Sequence, residues 1–156
     1  MGNDDPGFRL LLSLPDLAAT AALGARIAAR LAPGDLVALS GELGAGKTTL
    51  ARAILAALGV TEAVPSPTFT LVQSYETPGM TVNHYDLYRI ARAVEMDELG
   101  MDEALEDGAA LVEWPERAED RLPPDRLTVL LTQEDGARLA LLSGPARWRV
   151  LEDSHV

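Results

Sequence analysis

"DLVALSGELGAGKTTLARAILAALG", Asp35 to Gly59, decides the fold. "DLVALSG" is a short apolar run that suits a buried strand of a parallel sheet. "KTTLARAILAALG" reads as a helix closed by Gly59. Between them, Gly41-Glu42-Leu43-Gly44-Ala45-Gly46-Lys47-Thr48 satisfies G-x-x-x-x-G-K-[ST] in full. At ordinary residue frequencies a chance match in a chain of this length is roughly a one-in-two-hundred event. Strand, loop and helix in that order are what the motif's mechanism requires. Glycines let the backbone close around phosphates with its N–H groups pointing inward, and the helix start adds the positive end of its dipole. Lys47 would reach the β- and γ-phosphates and Thr48 would place its hydroxyl on Mg²⁺.

Lys47 is the only lysine in the chain; the other twelve basic residues are arginine. An ammonium is a compact charge on a flexible stem that fits between phosphate oxygens inside such a loop, where a planar guanidinium fits poorly. A second lysine, which guanine-reading P-loop proteins use in an Asn/Thr-Lys-x-Asp motif, is missing, so ATP is favoured over GTP.

Working outward, Ser13-Leu14-Pro15-Asp16 fits a capping box with Ser13 as cap. Leu17, Ala21, Gly24, Ala28 and Leu31 then recur at helical spacing up to "APGD". "TEAVPSPTFT" is a loop. "FTLVQSYE" and "MTVNHYDLYR" predict strands joined at Thr77-Pro78-Gly79 as a hairpin, and "VEMDELGMDEAL" a helix interrupted at Gly100. "GAALVEWPE" predicts a further strand. "DRLTVLLTQED" and "GARLALLSG" predict a second hairpin around Asp135-Gly136. The sum is an α/β domain over 1–156, P-loop NTPase-like, with a mixed central β-sheet flanked by helices and a flexible tail over its last ~10 residues.

With 156 residues, a net charge of −11 and no basic run, the chain has no evident means of holding a nucleic-acid backbone by itself. "RWR" at Arg147–Arg149 is the nearest candidate and is read as a solvated segment. The absence of cysteine excludes disulfides, thiolate nucleophiles and thiolate metal sites. No apolar run is long enough to span a bilayer and the N-terminal stretch is acidic where a secretory signal is basic, so the expected location is the cytoplasm.

A Mg²⁺–nucleotide site needs a carboxylate at a strand end near the loop. Asp86 closes "TVNHYD" and Glu113 closes "AALVE", and the residues alone leave open which of them touches the metal. Thr68, in "SPTFT", is a candidate γ-phosphate sensor or a plain turn residue. His84 shares a strand face with Asp86 and reads as a hydrogen-bonded structural histidine. Trp114 reads as core or partner contact.

Together "GELGAGKTTL", "SPTFTLVQSYE", "HYDLYR" and "LVEWPER", in this order and spacing, resemble the TsaE family, formerly YjeE. The likeness runs from about Ser13 to Leu131. It implies a small bacterial ATPase needed for the threonylcarbamoyladenosine modification of tRNA, working with TsaD and TsaB, with tRNA met only through those partners. It further implies an ATP/ADP-binding stretch of Gly41, Glu42, Leu43, Gly44, Ala45, Gly46, Lys47, Thr48 and Thr49. Thr48 and Glu113 are the implied magnesium ligands, and Asp86 is the second acid, important for hydrolysis. Lys47, Asp86 and Glu113 are thus the catalytic set. Trp114 would lie near the nucleotide, Thr68 in a switch-like loop, and Pro15 and Asp16 beside the adenine.

Two rival classes share the loop. A small-molecule kinase would need an arginine-bearing lid, for which "YRIARAVEM", with Arg89 and Arg92, is the one short candidate. An ABC-type ATPase would need a longer chain and a signature sequence ahead of the metal acids; "LSG" at Leu142–Gly144 falls after them. A nucleotide-binding switch that hardly hydrolyses ATP by itself differs from the leading reading in rate more than in chemistry.

Overall fold

In the computed structural model, residues 7–42, 44–65, 67 and 71–152 are described. Leu43 and Thr68, both expected to touch nucleotide, lie outside them. The elements are β1 (Phe8–Leu14), α1 (Leu17–Arg30), β2 (Leu36–Ser40), α2 (Lys47–Ala57), β3 (Val72–Glu76), β4 (Thr81–Asp86), α3 (Met101–Asp107), β5 (Gly108–Glu113), β6 (Leu127–Glu134) and β7 (Ala137–Gly144). Three 3-10 helices, Ala93–Glu98, Pro115–Arg121 and Ala146–Glu152, complete the described residues.

The strands form one sheet in the order β1-β7-β6-β2-β5-β4-β3. Its four inner strands β6, β2, β5 and β4 run parallel. Antiparallel pairs β3–β4, β6–β7 and β1–β7 extend it on both sides. This is the expected α/β architecture, a mixed sheet flanked by helices with a P-loop NTPase-like fold.

Burial on both faces explains the apolar runs of β2 and β5. Val37, Leu39, Ala109 and Leu111 pack into one layer with α1 and α2, while Leu36, Ala38, Ala110 and Val112 pack into the other with Met96, Met101 and Leu122. α1 and α2 come together at Gly24, where a Cβ would stand 2.6 Å from the Cβ of Ala53. α2 ends in a Schellman motif: Gly59, at φ 103°, donates to the Ala56 carbonyl, and Val60 donates to that of Leu55. The β6–β7 turn places Asp135 and Gly136 both at positive φ, 52° and 80°, the type I′ geometry that suits a two-residue hairpin loop.

The structure departs from the sequence reading in three places. The cap of α1 is Asp16, whose carboxylate accepts from the Ala19 N–H at 2.9 Å; Ser13 lies in β1. Pro15 disfavours helical angles at Leu14, so a helix capped at Ser13 cannot start there. β1 itself was not anticipated, because an edge strand is defined by its distant partner β7. Finally, residues within the expected tail form the 3-10 helix Ala146–Glu152, and Trp148 and Leu151 are buried at 2% exposure. "RWR" is solvated only at its arginines: Arg147 and Arg149 are exposed, while the tryptophan between them joins the core on the α1–α2 side.

Candidate nucleotide site

Gly41 follows β2 at φ 141°, and a Cβ there would lie 2.5 Å from the Leu131 carbonyl oxygen on the neighbouring β6. Gly44 and Gly46 also take positive φ, 82° and 107°. The loop thus turns three times through backbone that favours glycine. Ala45 is buried and its N–H donates to the Glu42 carbonyl, which closes the turn. Gly46 caps α2 without a side chain, so the first N–H groups of the helix keep no side-chain acceptor there.

Lys47 is the first residue of α2. Its ammonium donates to the carbonyl oxygens of Gly41 at 2.6 Å and Glu42 at 3.0 Å, and sits 4.2 Å from the centroid of the Trp114 ring. Burial pushes its pKa below the usual 10.5, and the nearby carboxylates of Glu113, Glu116 and Asp86 oppose that shift. The cation therefore lies in a place where its charge is costly unless anions surround it.

Beside it, the Thr48 hydroxyl is 2.9 Å from both carboxylate oxygens of Glu113. Glu113 Oε2 is also 2.7 Å from Nε2 of His84, which is fully buried. With Glu113 as the acceptor in both contacts, the donors are the Thr48 hydroxyl and His84 Nε2. The other ring nitrogen of His84 is buried without a partner. Asp86 stands opposite Glu113 in the parallel β4–β5 register, which sets both acids at the carboxyl ends of adjacent inner strands. One Asp86 oxygen accepts from the Tyr88 N–H at 3.0 Å.

Trp114 breaks the strand alternation. It takes left-handed angles, φ 60° and ψ 50°, while its N–H donates to the Leu39 carbonyl on β2. A non-glycine residue held there costs of order 1–3 kcal/mol and marks a position fixed by its surroundings. The result is an indole laid over the Lys47 ammonium and tilted against the Tyr88 ring at 4.8 Å. Arg117 covers Tyr88 from beyond, at 5.3 Å.

Lys47, Thr48, Asp86, Tyr88, Glu113 and Trp114 line an open cleft of about 420 Å³ together with Gly44, Gly46, Thr49, Arg89 and Arg138. A second depression of about 270 Å³ lies between Leu14–Leu17, including Asp16, and the β6–β7 hairpin at Gln133 and Gly136. Arg138 borders both. The cleft thus brings together Gly44, Gly46, Lys47, Thr48, Thr49, Asp86, Glu113 and Trp114. Asp16 lies apart from that cluster, on the second depression. Glu42 is exposed and contributes its carbonyl to Lys47. Tyr88 and Arg138 escaped sequence reasoning. Tyr88 stands inside the quoted "HYDLYR", whereas Arg138 has no motif around it.

The donors at the foot of the loop are hard oxygens, a hydroxyl and a carboxylate, with a second carboxylate on the next strand. That set suits Mg²⁺, which takes one or two protein carboxylates and completes its shell with phosphate oxygens and water. Arg89 also lines the cleft, but the stretch after it is anchored by Ile90 and Met96, at 3% and 2% exposure, rather than standing free as a lid.

The family described as "Threonylcarbamoyl adenosine biosynthesis protein TsaE" matches residues 14–140. A Bacillus subtilis protein named tRNA threonylcarbamoyladenosine biosynthesis protein TsaE is 40% identical over 113 residues, 72% of this chain and 70% of its own length. A Streptomyces coelicolor protein of the same name is 44% identical over 117 residues, 73% of this chain and 79% of its own. The crystal structure of Bacillus subtilis YdiB superposes with a TM-score of 0.79 at 31% identity, covering 94% of this chain and 93% of that one.

Proposed function

This chain belongs to the TsaE family, and from that premise we propose that it is a cytoplasmic, Mg²⁺-dependent subunit that binds and hydrolyses ATP. The hydrolysis serves the threonylcarbamoyladenosine modification of tRNA adenosine, in company with TsaD and TsaB. The observation that carries the reading is the chain of contacts Thr48–Glu113–His84 at the foot of the glycine loop, next to a buried Lys47.

The glycine loop's N–H groups and the start of α2 receive the β- and γ-phosphates. Lys47 neutralises them at close range. Thr48 and Glu113 would hold the metal, and His84 keeps the Glu113 carboxylate turned toward Thr48. Mg²⁺, when bound, neutralises charge on the phosphate oxygens. Asp86, on the adjacent strand end, orients the attacking water. Trp114 and Tyr88 wall the cleft and limit the water around Lys47. The net charge of −11 supports a division of labour in which the partner subunits, not this chain, meet the tRNA backbone. Partner stimulation fits the chemistry as well, because phosphoryl transfer in such sites depends on positioning and charge that another chain can complete.

The test is Mg²⁺-dependent ATP hydrolysis by this chain alone and with purified TsaB–TsaD. Slow turnover that the partners raise is the expected result; indifference to the partners overturns the assembly reading. Lys47→Ala is expected to abolish tight nucleotide binding or turnover, and normal hydrolysis by that variant would overturn the phosphate-loop assignment.

A further inference from the structure

Arg138 is the second residue of β7, just past the β6–β7 turn, and lies far in sequence from every motif of the cleft. Its guanidinium rests on the loop. A Cβ at Gly46 would stand 3.2 Å from its Nη1 and 3.6 Å from its Cζ. Gly46 is the cap of α2, so the guanidinium borders the helix start that faces the cleft.

Two further observations make this placement more than packing. First, Arg138 has no hydrogen-bond or ion-pair partner among the described residues. The other half-buried arginines are committed: Arg26 donates to the Leu151 carbonyl, and Arg126 to the Pro123 carbonyl and the Glu119 carboxylate. A guanidinium left uncommitted in a chain with 24 acids, half-buried against a helix start, is suited to an anion from outside. Second, Arg138 borders both the phosphate-loop cleft and the depression beside Asp16, so its donors stand between the two.

We propose that Arg138 is a nucleotide-binding residue, its guanidinium donating to the phosphate chain where that chain leaves the glycine loop toward the base. This rests on the nucleotide reading given above and adds a second fixed cation to it. The cleft needs one: Lys47 faces the carboxylates of Glu113, Glu116 and Asp86, which work against binding a polyanion. Lys47 holds the loop side and Arg138 the side toward β7, so the phosphates lie between a point charge and a planar fork.

The experiment is calorimetric titration of ADP and of inorganic tripolyphosphate, with Mg²⁺ present, into the full chain and its Arg138→Gln, Arg138→Lys and Lys47→Ala variants. Arg138→Gln is expected to weaken both ligands about tenfold or more, the scale of losing a hydrogen bond to a charged group. Arg138→Lys is expected to restore part of the loss. The melting temperature of the ligand-free variant should not move, since no protein partner is lost. Unchanged affinity for both ligands overturns the proposal. So does weakened ADP with unaltered tripolyphosphate, which would put the guanidinium on the base, and so does a fall in ligand-free melting temperature that accounts for the lost binding. If the nucleotide reading itself fails, the unaltered chain binds neither ligand and Lys47→Ala changes nothing, a different pattern from any of these.

Discussion

The two sides of the sheet are built to different standards. On one side, α1 and α2 pack along whole helical faces, and Ile27, Leu50, Ile54 and Leu55 are fully buried. On the other, the cover is the seven-residue α3 and two 3-10 helices, whose Met96 and Met101 pack with Tyr85 of β4. The same strands serve both, since Leu36 and Val37 are neighbours that point to opposite layers. The regular layer carries the phosphate loop and its lysine at the head of α2. The irregular layer leads, through the turn at Trp114, to the aromatic wall of the cleft. Long helices give a fixed floor, and short turns give a surface whose side chains are set one at a time. Binding residues often sit on such loops over a rigid scaffold.

If that division is real, damage on the two sides should read out differently. The largest effect is expected from Ile54→Ala, which empties a fully buried site on the core face of α2. It should cost about 2–5 kcal/mol in denaturant unfolding while the folded protein keeps its ATP affinity. Lost affinity in a still-folded variant would show that the floor tunes the cleft directly.

His84→Ala comes next. Removing the donor to Glu113 is expected to weaken Mg²⁺ dependence of nucleotide binding about 10–100-fold. If melting falls and the Mg²⁺ titration does not shift, the histidine belongs to packing alone. Trp114→Leu should then weaken nucleotide binding by about 0.5–2 kcal/mol through the lost cation–π contact, with a smaller effect on unfolding.

The smallest effect is confined to alkaline pH. Burial, then the Glu103 carboxylate, pushes the Tyr85 phenol from 10.0 up to about 12. The unfolded chain releases that proton near pH 10 and the folded chain keeps it, so stability falls between pH 10 and about 12. Tyr85→Phe should flatten that part of the pH–stability curve and leave neutral pH nearly unchanged. Lys47 acts in the opposite sense. Its folded pKa lies below 10.5, so the unfolded state binds more protons between the two values and stability rises with pH there. Nucleotide should cancel the Lys47 slope and leave the Tyr85 one.

How much of this could be read in the residues depends on how local each feature is. The phosphate loop, both hairpins and the strands ending at Asp86 and Glu113 rest on short-range patterns: glycines at positive φ, Asp135-Gly136, and apolar runs with an acid at the end. Ser13 was mistaken for the cap because its spacing to an acid mimics the motif, while β1 exists only by pairing with β7. Arg138 was invisible for the same reason. Its place beside Gly46 follows from β7 doubling back along β6, a meeting across ninety-two positions that no window of sequence contains. The buried Trp148 likewise needs the α1–α2 layer to exist before its own environment does.

The two tryptophans divide along the same line as the layers. Trp148 is sealed in the floor at 2% exposure beside Arg147, a cation already paired with Asp35 and Asp125, whereas Trp114 lies against an ammonium and a phenol ring. An indole's emission colour and yield follow the charges beside it. The molecule therefore carries an intrinsic optical gauge: a steady signal from one ring, and from the other a signal tied to whatever anion reaches Lys47.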